Sequence, residues 1–292
     1  MPSPGDRLRA AWSEQPIMIP GVFNALTAKM AERIGFRAVY LSGGALSAGW
    51  AGVPDIGLLT ATEFAEQAAL LAEATTLPVL CDADTGFGEA INVDRTVRQF
   101  ERAGAAGLHL EDQVLPKRCG HLTGKALIEP QAMAAKIRSA VAARRDPGFV
   151  VVARTDARSV EGFDSALDRA RLYVEAGADM IFPEALESPD EFARFAREIE
   201  IPLIANLTEF GRGPLLSFDD LAGLGYRAVL YPLTAFRSAM KAAEETLIHL
   251  WDHGNQRDLL SRMQTRAELY DLLGYDDWEA RDRSYFGDSR RS

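Results

Sequence analysis

One phrase recurs along this chain: a helical stretch closes on glycine, and a short apolar run follows at once. It reads Ile34-Gly35-Phe36 ahead of Ala38-Val39-Tyr40-Leu41, and Ala103-Gly104-Ala105 ahead of Gly107-Leu108-His109-Leu110. It returns as Ala176-Gly177-Ala178 ahead of Met180-Ile181-Phe182, and as Leu224-Gly225-Tyr226 ahead of Ala228-Val229-Leu230-Tyr231. Glycine adopts the left-handed backbone that closes a helix, so each phrase marks a helix-to-strand joint. Further apolar runs lie at Ile17-Met18-Ile19, Pro78-Val79-Leu80-Cys81, Phe149-Val150-Val151-Val152-Ala153 and Leu203-Ile204-Ala205. Runs so short and so wholly apolar suit parallel strands buried on both faces. Eight strands alternating with helices predict a (β/α)8 TIM barrel over about residues 16–253. A doubly wound open sheet is the alternative, disfavoured because no glycine-rich fingerprint follows the first strand. The spacing predicts a long helix over 234–253 and a charged helical extension over about 254–292, all within a single domain, 1–292. Trp278, Tyr285 and Phe286 are too apolar for a free tail and are expected to pack on another subunit or on the barrel.

Composition narrows the function classes. A net charge of -10 argues against nucleic acid or an anionic membrane as a partner. It leaves room for a small anionic substrate in a local cationic pocket. No apolar run approaches the ~20 residues of a membrane span. Met1-Pro2-Ser3-Pro4-Gly5-Asp6 has neither the basic nor the apolar region of a signal peptide. Two cysteines, Cys81 and Cys119, make no disulfide framework and suggest a reducing, cytoplasmic setting.

In a TIM barrel the active site lies at the C-terminal ends of the strands. Polar residues gather there: Ser42-Gly43-Gly44, Asp82-Ala83-Asp84, Glu111-Asp112, Arg154-Thr155-Asp156, Glu184, Asn206-Leu207-Thr208 and Arg237. Asp82 and Asp84 are two apart, so on a strand they would point the same way. With Glu111, and Asp55 on an earlier loop, they suit a hard cation such as Mg²⁺, with Mn²⁺ as a substitute. Arg154, Arg237 and Arg266 are candidates for bidentate carboxylate binding. Ser42, Gly43 and Gly44 offer a hydroxyl and backbone N–H groups to another anionic oxygen. His109 and Cys81 read as core. After the fourth strand comes Lys117-Arg118-Cys119-Gly120-His121. There a thiol sits among cations, which favour its reactive thiolate, beside a glycine that permits close approach.

Taken together, these stretches carry a resemblance. Tyr40-Leu41-Ser42-Gly43-Gly44, Asp82-Ala83-Asp84, Lys117-Arg118-Cys119-Gly120-His121, Arg154-Thr155-Asp156, Pro183-Glu184-Ala185 and Asn206-Leu207-Thr208-Glu209-Phe210-Gly211 resemble the isocitrate lyase/phosphoenolpyruvate mutase superfamily. The likeness runs from about residue 6 to the end, including Met263-Gln264-Thr265-Arg266. The cysteine loop is that of the lyase branch. The resemblance implies retro-Claisen cleavage of a methylated isocitrate-like acid. It implies Mg²⁺ at Asp82 and Asp84, with Asp55 and Glu111 reached through water. Substrate contacts are implied for Ser42, Gly43, Gly44, Cys119, Gly120, Arg154, Glu184, Asn206, Leu207, Thr208, Arg237 and Arg266. Cys119 is the implied general acid, with Lys117 and His121 beside it; Tyr40 and Glu184 are candidates for the base. A homotetramer that exchanges C-terminal helices is implied too. Ala45, Thr85 and Leu122-Thr123 depart from the family pattern and bear on substrate choice. Two other readings stay open: a sister lyase acting on isocitrate or a dialkylmalate, and a catalytically silent barrel with a binding role.

Overall fold

The structure, a computed structural model, describes residues 2–120 and 124–286. Eight strands run in chain order: β1 Ile17–Val22, β2 Val39–Leu41, β3 Val79–Asp82, β4 Gly107–Glu111, β5 Val150–Thr155, β6 Met180–Pro183, β7 Ile204–Asn206 and β8 Ala228–Tyr231. Every ladder is parallel, in the order β6-β5-β4-β3-β2-β1-β8-β7. A single bridge, Ile181 to Leu203, joins the two ends and closes the barrel. The predicted joints hold. Gly35, Gly104, Gly177 and Gly225 all have φ between +84° and +105°, where a side chain would be strained.

Strand alternation divides the apolar residues into two cores. Ile17, Ile19, Tyr40, Leu80, Val150, Val152, Met180, Phe182, Ile204 and Leu230 fill the barrel interior. Leu8, Ala11 and Trp12, from the helix Pro4–Glu14, join that interior cluster. Their neighbours Val39, Leu41, Val79, Cys81, Leu108, Leu110, Val151, Ala153, Ile181 and Val229 point outward and pack under the surrounding helices. Burial of both faces explains the continuous apolar runs.

The chain divides into two compact units, residues 1–236 and 237–292. The boundary falls inside the predicted long helix, Thr234–His253. The second unit continues with a 3₁₀ turn, Arg257–Arg262, and the helices Arg266–Leu273 and Tyr275–Tyr285. Several of its apolar side chains are exposed, Trp251 at 90% and Trp278 at 64%, while Leu259 is buried. Tyr285 and Phe286 are exposed as well.

Candidate active site

The polar rim forms one cleft at the C-terminal end of the barrel. Tyr40, Ser42, Gly44, Asp55, Asp82, Lys117, Arg118, Cys119, Gly120, Arg154, Phe182, Glu184, Asn206 and Thr208 line it together. Each comes from the end of a strand or from the loop after one, as the fold requires.

The carboxylates gather on one side of the cleft. Asp82 closes β3, but Asp84 lies beyond the strand at φ +44°. The expectation that a shared strand aims both side chains is therefore corrected: a left-handed turn returns Asp84 toward the site. Its backbone N–H donates to Asp82 Oδ1 at 3.0 Å. The Lys117 ammonium, 3% exposed, lies 2.8 Å from Asp84 Oδ1 and pairs with Asp55 Oδ1. Burial lifts the Asp84 carboxyl to about 7 against the pull of Lys117, and the charges of Asp82 and Asp55 add to the rise. Burial also pushes Asp82 up, but the surrounding cations and the Asp84 N–H hold it at about 2. Lys117, read from the sequence as a cation near the thiol, is paired here with two carboxylates.

These residues fit a divalent ion by donor chemistry. Glu111 is fully buried, burial raises its pKa well above the ordinary carboxylate range, and its Oε1 has no hydrogen-bond partner among the described residues. An orphaned buried acceptor beside three more carboxylates calls for a cation. Among the described residues no three side chains already stand in coordinating positions; the Lys117 ammonium and the Arg154 guanidinium supply the positive charge.

At the floor, Tyr40 OH approaches His109 Nε2 at 2.7 Å and Asp82 Oδ2 at 3.2 Å. Burial lowers the His109 pKa to about 4, so the imidazole is neutral near pH 7. His109 therefore belongs to the site, not only to the core. The signal lay in the alternation of β4. Leu108 and Leu110 face outward, which puts His109 on the same face as Glu111. The Gly43 N–H is not offered to a ligand; it donates to Asp82 Oδ2 at 3.1 Å. A Cβ there would stand 2.6 Å from that oxygen, so only glycine fits. Ser42 caps the short helix Gly43–Leu46 by accepting from the Ala45 N–H.

The opposite wall is built around Arg154. Its guanidinium donates to Asp156 through Nε at 3.0 Å and Nη2 at 3.2 Å. It also lies 3.3 Å from Glu111 Oε2 and 3.8 Å from Glu184 Oε2, and it covers the Phe182 ring at 5.1 Å. Asn206 Nδ2 donates to Glu184 Oε2 at 3.1 Å. Gly120 sits so close that a Cβ would fall 2.3 Å from Glu184 Oε1. Cys119 is half-buried at the mouth. Leu207 is placed elsewhere: it lines a neighbouring hollow with Leu186, Phe192 and Leu215. His121 and Leu122-Thr123 lie outside the described residues. Arg237 and Arg266 belong to the second unit. Thr85 is buried with an unpartnered Oγ1 among the described residues. The residues that sequence reasoning passed over, Lys125 and Gln113, carry no local motif; Gln113 bonds the Arg118 backbone, and Lys125 bonds the Gly120 carbonyl and the distant Asp156.

Comparison with known proteins agrees with this geometry. The family model described as phosphoenolpyruvate phosphomutase matches residues 8–251. A protein of Aeropyrum pernix named 2-methylisocitrate lyase is 53% identical over 280 residues, covering 96% of this chain and 90% of that one. The crystal structure of 2,3-dimethylmalate lyase, described as a PEP mutase/isocitrate lyase superfamily member, superimposes with a TM-score of 0.91 at 32% identity, covering 99% of this chain and 97% of the other. Phosphonopyruvate hydrolase, solved in complex with oxalate and Mg²⁺, gives a TM-score of 0.86 at 33% identity, with 96% and 98% coverage. With its closed parallel barrel, its carboxylate-lined cleft and these relatives, the chain belongs to the phosphoenolpyruvate mutase/isocitrate lyase family.

Proposed function

We propose that this enzyme cleaves the C2–C3 bond of 2-methylisocitrate, giving pyruvate and succinate. The observation that carries the reading is one cleft lined at once by the Cys119-Gly120 segment, the Asp55–Asp82 carboxylates and the Arg154–Glu184 pair. A thiol, a cation site and a carboxylate-binding arginine are the parts that retro-Claisen chemistry needs. The Aeropyrum relative's name supports the same substrate.

Asp82 and Asp84, with Asp55 and Glu111 behind them, would hold a divalent ion, in keeping with the Mg²⁺ complex of phosphonopyruvate hydrolase. That ion would supply Lewis-acid polarisation of the substrate. Tyr40 keeps its proton, because burial lifts the phenol further above its ordinary value and its O–H reaches Asp82. Glu184 is then the group that takes the proton of the 2-hydroxyl. As C2 becomes a carbonyl, the C2–C3 electron pair leaves with the succinate carbon and spreads into its carboxylate. Arg154 stabilises that charge. Cys119 transfers its S–H proton to the carbon, and proton exchange with solvent resets Glu184 and the thiolate. Arg237 and Arg266, by resemblance, are further carboxylate partners.

The 2,3-dimethylmalate lyase relative makes a dialkylmalate the second reading. Steady-state assays across 2-methylisocitrate, isocitrate and 2,3-dimethylmalate decide between them. A methyl group in a fitted pocket is worth roughly 10–200-fold. The 2-methylisocitrate kcat/KM should exceed the others by at least about tenfold; a higher value for 2,3-dimethylmalate would replace this reading.

The uncovered Trp251, Leu247, Ile248, Trp278 and Tyr285 support assembly into a homotetramer with exchanged C-terminal helices. Light scattering should give four times the chain mass at micromolar concentration. A monomer would refute the assembly. The two free cysteines support a cytoplasmic setting. Among the described residues no helix is long and apolar enough to cross a membrane.

A further inference from the structure

The backbone around Cys119 is gripped on both sides by side chains that no step above uses. On one side, Gln113 clasps Arg118: its Oε1 accepts from the Arg118 N–H at 2.9 Å and its Nε2 donates to the Arg118 carbonyl at 2.8 Å. On the other, the Lys125 ammonium donates to the Gly120 carbonyl and to Asp156 Oδ1, the latter at 2.7 Å. The gripping side chains are buried. Gln113 is 1% exposed, and the Lys125 and Asp156 side chains are 1% and 0% exposed.

The anchor behind Lys125 is rigid. The second Asp156 oxygen takes Arg154 Nε, and the Asp156 backbone N–H donates to Asp112 Oδ1 at 2.9 Å. Asp112 in turn accepts from Thr155 Oγ1 and Tyr173 OH, each at 2.8 Å. The same carboxylate thus holds the substrate-facing arginine and the lysine that holds Gly120. The anchor behind Gln113 is a short antiparallel contact. The Val114 N–H donates to the Ala126 carbonyl at 2.8 Å, and the Ile128 N–H donates to the Asp112 carbonyl at 2.9 Å.

We propose that Lys125 and Gln113 are positioning residues for Cys119, clamping the backbone at Gly120 and Arg118 so that the thiol is held at a fixed place over the Arg154–Glu184 wall. A buried lysine is a costly way to hold a surface loop unless position matters. Cys119 itself is half-buried, and the two grips act on the backbone on either side of it. The inference rests on the reading of Cys119 as proton donor. Misplacing a reacting group by about 1 Å costs on the order of 10²-fold in rate.

The test uses the full chain with Lys125→Met, Lys125→Arg and Gln113→Leu. Lys125→Met leaves Asp156 paired with Arg154, so no buried charge is orphaned. Two readouts are taken: steady-state kcat and KM with 2-methylisocitrate, and the rate of thiol alkylation by iodoacetamide. Cys81 is fully buried and serves as the silent internal control. Lys125→Met and Gln113→Leu should each lower kcat by about 10–100-fold with KM within a few-fold. Cys119 should alkylate several-fold faster in both, and Lys125→Arg should recover part of the loss. Wild-type kcat in either variant would overturn the proposal. So would a lowered kcat with an unchanged alkylation rate, which marks a merely structural role. Should Lys125→Met fail to fold, Lys125→Gln and Gln113→Leu carry the same test. Alkylation does not depend on which group is the acid, so the clamp is judged separately from the Cys119 assignment.

Discussion

Removing divalent metal is expected to abolish turnover, and restoring Mg²⁺ to recover it. The physical case lies in the balance of buried charge. Asp55, Asp82, Asp84 and Glu111 converge where Lys117 is the cation seen against two of them. Asp84 and Glu111 both have raised pKa values, because burial disfavours their charged forms and neighbouring carboxylates add to it. A divalent ion would neutralise the carboxylate charge that Lys117 and Arg154 leave over. Lewis-acid polarisation is worth several kcal/mol, which corresponds to roughly 10³-fold or more in rate. Asp84→Ala should lose activity to the same extent while keeping its circular dichroism. Titration calorimetry should show Mg²⁺ binding to the wild type and none to the variant, a readout independent of catalysis. Full turnover after exhaustive chelation would sink the metal assignment.

Cys119→Ser is expected to lower turnover by about 10²–10⁴-fold, the usual cost of losing a general acid. Serine is nearly isosteric, and a hydroxyl is a far weaker acid than a thiol. The substituted side chain keeps its place, because the grips on Arg118 and Gly120 act through backbone atoms. Mg²⁺ affinity and product inhibition should therefore be near wild type. Turnover within a few-fold of wild type would show that the thiol is not the acid. Loss of ligand affinity together with rate would make Cys119 a positioning residue instead.

Much of this was readable along the chain because it depends on local rules. The closing glycines at 35, 104, 177 and 225 need a left-handed backbone that only the sequence position of glycine supplies cheaply. The apolar runs follow from burial on both faces of a parallel barrel. The rim residues follow from the strand ends, and the fold alone puts those ends together. Asp82, Arg154, Glu184, Asn206 and Cys119 line one cleft for that reason.

What the sequence could not decide are matters of direction and partnership. Lys117 adjoins Arg118 and Cys119 in the chain, yet its flexible stem carries the ammonium away to Asp55 and Asp84. Asp84 reaches the site by a turn at positive φ, not by strand periodicity. His109 looked like packing because its neighbours are apolar, and only the barrel interior sets its ring against Tyr40 and Phe182. The second unit leaves Trp251 and Trp278 uncovered. The sequence by itself determined the closed parallel barrel and the strand ends that carry the chemistry, since backbone rules and burial are local and periodic. Only the tertiary structure decided where the long side chains spend their charges and what grips the cysteine loop, because those contacts depend on rotamers that no local pattern encodes and, for Lys117–Asp55 and Lys125–Asp156, join residues far apart in the chain.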